Sequence, residues 1–265
     1  MVALLFLGCA TTGPGGQKSL ILISTSQEVA LGNQFDDQIR TEAKVLADPQ
    51  WQQYFNEIGQ SVVAVCDRKD IEYHFTVIES DDVNAFATPG GYVYIYTGLL
   101  KLMDNEAQLA AVTAHEISHI VARHSIQRLQ TAMGISLLEQ LAFGGESSAL
   151  QDVVNLGVGI ALQGYSRQDE HQADEYGVIY MTRAGYNPEG AIELFGKLAS
   201  LGDHQANVFE QLASSHPDTQ SRIDAVEQQI HTSFPQAVQR PKNPSRYLQH
   251  KNRLPASDSA TQTAP

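Results

Sequence analysis

The chain is poor in cysteine, in positive charge and in long apolar runs, and each shortage closes off a class of protein. Cys9 and Cys66 are the only cysteines in 265 residues, so neither a disulfide framework nor a cysteine-rich structural zinc site is available. Seventeen Lys and Arg stand against thirty Asp and Glu, a formal net charge of −13. That balance argues against nucleic acid or an anionic membrane surface as the principal partner. The apolar stretches at 137–143 and 153–162 fall well short of the roughly 20 residues that a membrane-spanning helix needs. They are expected to be core helices, and no transmembrane helix is expected. No internal repeat is present. The length suits one generous domain or two small ones, with nothing that forces two, and a hydrophobic content of 42% is ordinary for a globular protein.

Against these absences stands one informative string, His115-Glu116-Ile117-Ser118-His119. It lies within a helix-like run, 105–130, in which Ala107, Leu109, Val112, Ala114, Ile117, Ile120 and Val121 are apolar or helix-forming. Asp104 or Asn105 offers an N-cap, and Glu106 an acid in the first turn. On a helix, positions four apart lie about 40° apart in azimuth and roughly 6 Å along the axis. Both imidazoles therefore leave one face and can share a metal ion. Glu116 starts about 100° round from His115 and can reach toward a water on that metal. Zinc brings such a water near ionisation at neutral pH, and a carboxylate beside it takes the proton. The pattern predicts a metal-dependent hydrolase, above all a peptidase. Two competing readings are an amphipathic helix with half-buried histidines and a di-iron bundle built on Glu116-x-x-His119. The bundle needs a second E-x-x-H element, which the chain does not contain.

A catalytic zinc takes three protein ligands and keeps one position open, so a third ligand is required. The candidate region runs from Gly164 to Glu175, where Glu170 and Asp174 again stand four apart on one helix face. One carboxylate would bind the metal, and the other would accept the free N–H of a ligating imidazole. As an isolated cluster the same residues would read as a solvated helix surface. Of the remaining histidines, His124 is nine positions from His115, which on a continuous helix rotates it about 180° to the opposite face. His171 points about 100° away from Glu170. His74, His204, His231 and His250 show no partner pattern and read as structural or solvated.

Five ordered stretches carry a family resemblance: Ser26-Gln27-Glu28 through Leu31-Gly32; Asn84-Ala85-Phe86-Ala87 with Pro89-Gly90-Gly91; His115 to His124; Ser166-Arg167 through Glu170 and Ala173-Asp174; and Ser215-His216-Pro217-Asp218 with Arg222 following. The chain resembles the gluzincin zinc metallopeptidase family of HtpX, BepA and the CAAX prenyl proteases, and most of all its single-domain periplasmic or lipoprotein members. The resemblance implies one Zn2+ per chain, held by His115, His119 and Glu170. It makes Glu116 the general base and Asp174 the carboxylate behind a ligand histidine. It brings His216 to the cleft as a catalytic donor to the oxyanion.

The expected fold is α+β and mostly helical, a zincin-like metallopeptidase with a small β-sheet packed beside the H-E-x-x-H helix. Helices are expected at 27–46 and 51–65, a strand at 73–78, and a hairpin whose arms flank Pro89-Gly90-Gly91. Residues 1–24 read as the remnant of a lipoprotein signal, ending in Gly8-Cys9, followed by a flexible tether over 11–19. Residues 25–234 would be the metallopeptidase domain, and 235–265, rich in Gln, Pro, Ser and Thr, a disordered C-terminal tail. A polypeptide substrate would pair its backbone with the strand Asn84, Ala85, Phe86, Ala87. The expected activity is endopeptidase cleavage of unfolded or misassembled proteins in the bacterial cell envelope, in the periplasm, with a lipid on Cys9 as the membrane attachment. The alternative is a non-catalytic chaperone or assembly factor that holds extended polypeptide in the same cleft.

Overall fold

The computed structural model describes residues 9–132, 164–201 and 219–256. The stretches expected as core helices at 137–143 and 153–162 lie outside the described residues, as does His216.

The first element corrects the sequence reading. Strands β1 (Cys9–Thr12) and β2 (Lys18–Ile21) pair antiparallel, with Cys9 opposite Ile21 and Thr12 opposite Lys18. A flexible tether was expected here. Pro14 presets the turn, Gly15 follows it with φ 61°, and the Gly15 N–H donates to Asp67 Oδ2 at 2.9 Å. A proline and glycines that read as flexibility in composition serve here as a tight, anchored turn.

Helix α1 (Thr25–Glu42) starts at a capping box in which Ser24 Oγ accepts from Gln27 N and the Gln27 side chain accepts from Ser24 N. It ends short of the expected 46, because Ala43 turns extended and Val45 bridges to Ile78. Helix α2 (Pro49–Val63) begins with Pro at its first position, and Asp48 accepts from the N–H of Gln50 and Trp51.

Strands β3 (His74–Ile78), β4 (Ala85–Thr88) and β5 (Tyr92–Tyr96) form one sheet in the order β3-β5-β4. The hairpin forms as expected, with β4 antiparallel to β5, and β3 joins β5 in parallel. The turn Pro89–Gly91 holds Gly90 at φ 82°, a conformation that suits glycine. Side-chain alternation divides the two faces. Phe86, Tyr92 and Tyr94 pack toward α1, where the Tyr92 and Tyr94 hydroxyls donate to Asn33 and Asp36. Ala85, Ala87, Val93 and Ile95 face the main core with Trp51, Phe55 and Leu109.

After the short helix α3 (Thr97–Leu102), helix α4 (Glu106–Ala122) runs through the centre of that core, capped by Asn105. Arg123 terminates it in the left-handed conformation, φ 58°, and a second helical stretch covers 124–132. The expected single helix over 105–130 is therefore broken at Arg123. A buried ion group secures this corner. Glu28 accepts a bidentate pair from Arg68 at 2.9 Å and a further contact from Arg123 at 2.7 Å, while Arg68 Nη1 also donates to Ile120 O at 3.0 Å. The left-handed residue costs energy, and the arginine that adopts it, Arg123, is one of the two that contact Glu28.

Helix α5 (Arg167–Arg183), with Ser166 and Asp169 in a capping box, lies against α4. At Gly177 a Cβ would stand 3.2 Å from His115 N, so this glycine lets the two helices approach closely at the site. Helices α6 (Glu189–Leu201) and α7 (Thr219–Ser233) close the bundle.

Over its described part, 235–256, the expected disordered tail is a second correction. Helix α8 (Pro244–Lys251) folds onto the body, with Tyr247 fully buried and its hydroxyl donating to Leu100 O at 2.6 Å. Trp51 Nε1 donates to His250 O at 2.7 Å, and Arg246 meets Glu106 at 2.9 Å. One aromatic anchor and several specific polar bonds hold this helix, so its sequence carries almost no apolar stripe. Among the described residues, no helix is long and apolar enough to cross a membrane.

Candidate active site

Helical spacing puts His115 and His119 on one side of α4, and their Nε2 atoms lie 3.1 Å apart. Glu170, in the first turn of α5, faces both. Its Oε2 lies 3.5 Å from His115 Nε2 and its Oε1 3.6 Å from His119 Nε2. All three ligand atoms fall within 4.8 Å of one another. Ligands bound to zinc at about 2.0–2.1 Å in a tetrahedron stand roughly 3.3 Å apart, so these spacings fit one small metal ion. The site is buried: His119 and Glu170 are fully enclosed and the His115 side chain is 11% exposed.

The groups behind these three settle their orientation. Asp174, one turn after Glu170, accepts from His115 Nδ1 at 2.9 Å, which directs the other ring nitrogen toward His119 and Glu170. The spacing of Glu170 and Asp174 left open which carboxylate does which task. In the structure Glu170 faces both imidazoles, and Asp174 stands behind one of them. Burial opposes a charge on His115, yet Asp174 and Glu170 outweigh it and hold the protonated ring up to about 10. Burial would likewise raise Asp174, but Arg222 and His115 hold its carboxyl below the usual carboxylate range.

Arg222 of α7 had no role assigned from sequence. It grips Asp174 through Nε at 2.6 Å and Nη2 at 2.8 Å, and reaches Glu170 Oε2 with Nη1 at 2.7 Å. Burial works against its charge, but Asp174, Glu170 and Glu116 together keep its pKa above the ordinary value. The one signal in the sequence was its position after the Ser215–Asp218 motif, which says nothing of its partners. Three carboxyl groups, Glu116, Glu170 and Asp174, thus surround this guanidinium in the buried centre.

His124 is a further correction. The left-handed turn at Arg123 swings it back, and its Nδ1 lies 2.8 Å from His119 Nδ1 instead of on the opposite face. The helical-wheel angle applies only along an unbroken helix, and this one breaks one residue earlier. Tyr165 completes the enclosure, stacked on the His119 ring with centroids 3.9 Å apart. His171 is exposed, as expected, and His250 stacks on Tyr54 far along the chain.

Glu116, 1% exposed, borders with His115 an apolar pocket whose walls include Leu99, Val112, Met181, Leu194 and Phe195. Ala85 of β4 lines the same pocket. β4 is an edge strand of its sheet, and Asn84 just before it carries a buried Oδ1 with no hydrogen-bond partner among the described residues. Asn84, Ala85, Phe86 and Ala87 are all buried.

The family model of peptidase family M48 matches residues 49–230. The chain is 30% identical over 250 residues to the beta-barrel assembly-enhancing protease of Escherichia coli (strain K12), covering 90% of this chain and 51% of that protein. It is 31% identical over 176 residues to the mitochondrial metalloendopeptidase OMA1 of Schizosaccharomyces pombe, covering 66% of this chain and 52% of the relative. The chain spans about half the length of the curated relatives it matches. At the level of the family the resemblance read from the motifs holds, and the chain belongs to peptidase family M48.

Proposed function

We propose that this chain is a zinc metalloendopeptidase that cleaves unfolded or misassembled proteins in the bacterial cell envelope. The observation that carries the reading is the convergence of His115, His119 and Glu170 donor atoms at 3.1–3.6 Å with Glu116 on the same helix. Zinc held by these three residues would supply Lewis acidity to the scissile carbonyl and to the attacking water. Glu116 takes the proton from that water and returns it to the leaving amine. Asp174 keeps His115 in the tautomer that presents Nε2, and Arg222 keeps both carboxylates in place. His216 is assigned the oxyanion donor on the family resemblance alone.

An extended peptide would add to the edge strand β4, with the buried Asn84 Oδ1 accepting one of its N–H groups. Backbone pairing gives affinity without a sequence requirement. The apolar pocket beside Glu116 and Ala85 would then take a hydrophobic side chain. Folded proteins keep such side chains inside, so both features favour unfolded or unassembled substrates. A periplasmic setting draws support from the Gly8-Cys9 pair after an apolar stretch, with a lipid on Cys9 as the attachment, and from a relative named for β-barrel assembly.

The test is metal content of the purified protein together with casein cleavage by wild type and Glu116→Gln. Stoichiometric zinc in both, with cleavage by wild type alone, supports the reading. Equal behaviour of the two in holding polypeptide, with no cleavage by either, favours the chaperone alternative.

A further inference from the structure

The hydrogen bonds around His119 continue outward through residues with no part in the reaction proposed above. His119 Nδ1 meets His124 Nδ1 at 2.8 Å. His124 Nε2 meets Gln172 Oε1 at 2.8 Å and Asp169 Oδ1 at 3.4 Å. Gln172 Nε2 in turn donates to Gln17 Oε1, in the N-terminal hairpin. The chain thus runs from the β1–β2 turn, across α5, to one imidazole of the His-His-Glu group.

Proton positions along this chain are not interchangeable. The Asp169 carboxylate only accepts, so the nitrogen of His124 that faces it must carry the hydrogen. A neutral imidazole that donates from Nε2 accepts at Nδ1. The bond to His119 therefore has His119 Nδ1–H as donor, which leaves His119 Nε2 bare and aimed at His115 Nε2 and Glu170. The opposite tautomer would put a hydrogen where a metal must bind. His115 obtains the same result from a carboxylate directly, through Asp174. His119 has an imidazole behind its Nδ1, with His124 Nδ1 at 2.8 Å. Its orienting group is a second histidine, polarised by Asp169 and Gln172.

We propose that His124 is a positioning residue for the metal site, fixing the tautomer and ring direction of His119 through the Asp169–Gln172 end of α5. The turn at Arg123 acquires a purpose in this view. A continued helix would carry His124 away, and the left-handed residue between Ala122 and His124 returns it to His119. The stacked Tyr165 ring, whose hydroxyl is bonded to Ser125 Oγ at 2.8 Å, limits ring tilt but cannot choose the tautomer.

This inference rests on the reading of His115, His119 and Glu170 as a metal site, and the experiment separates the two. Zn2+ affinity is measured by chelator competition for wild type, His124→Leu, His124→Asn and Gln172→Leu. Co2+ loading, followed by visible absorption, reports ligand geometry without any assay of activity. His124→Leu should bind Zn2+ about 10–100-fold more weakly, the range for losing a group behind a ligand. His124→Asn places an amide oxygen near the Nδ1 position and should recover most of that loss and the wild-type cobalt spectrum. Gln172→Leu, at a half-buried position, should weaken binding in the same direction and covers the case in which His124→Leu fails to fold. Wild type lacking stoichiometric zinc would overturn the metal reading and this inference together. Wild-type zinc binding with unchanged affinity in a folded His124→Leu protein, or no difference between His124→Asn and His124→Leu, would overturn the inference alone.

Discussion

Arg222 holds Asp174 by two parallel hydrogen bonds, Nε to Oδ2 at 2.6 Å and Nη2 to Oδ1 at 2.8 Å, with both residues buried. The same guanidinium reaches Glu170, so one cation on α7 secures both carboxylates that α5 brings to the histidines. Removing it would leave buried negative charges facing each other.

Arg222→Met should therefore lower stability by on the order of 3–5 kcal/mol, the cost of an uncompensated buried charge. Arg222→Lys should recover little, because an ammonium cannot make the two-pronged contact. Urea denaturation of the three metal-free proteins checks this. Equal midpoints would mean that Arg222 is dispensable to the fold.

Glu170 and Asp174 differ in what they face, and their variants should differ accordingly. Glu170→Ala leaves two histidines and should lose zinc on dialysis along with all peptidase activity. Asp174→Asn should keep zinc but bind it about 10–100-fold more weakly, as expected for a partner behind a ligand. Stoichiometric zinc in Glu170→Ala after dialysis would remove Glu170 from the ligand set.

The His115 shift sets a proton count. Its folded pKa is raised to about 10, above the ordinary 6.5. In the metal-free protein the stabilisation from its contacts with Asp174 and Glu170 is fully present below 6.5 and fades as pH rises through 10. At pH 8 the ring still carries its proton, and zinc must displace it. Calorimetric titration in buffers of different ionisation heat should show release of about one proton per zinc at pH 8, with the release falling away above 10. Zinc uptake at pH 8 with no proton released would refute the shift.

The C-terminal helix offers a test of the fold away from the site. Tyr247→Ala removes a fully buried ring and the bond to Leu100 O, and should cost roughly 3–5 kcal/mol in line with other large aromatic truncations. A change below about 0.5 kcal/mol, the level of ordinary surface substitutions, would restore the reading of this segment as a loose tail.

Much of the centre was legible in the order of residues, because its information is local. His115 and His119 share a face through helix geometry alone, as Glu170 and Asp174 do on α5, and Asn105 announces its helix by capping. The β4–β5 hairpin follows from alternation on either side of a Pro-Gly-Gly turn. What the sequence could not contain is how distant pieces meet. Only packing sets Glu170 toward both imidazoles and Asp174 behind one of them, and only packing brings Arg222 onto both carboxylates from a third helix. His124 was misread because a single left-handed residue, stabilised by the distant Glu28, cancels the arithmetic of the helix. The C-terminal segment was misread because Tyr247 and Arg246 are held by partners some 140 residues away, which composition cannot register. Spacing along a chain specifies direction within one element, whereas the energy that joins two elements depends on surfaces that exist only once both have folded.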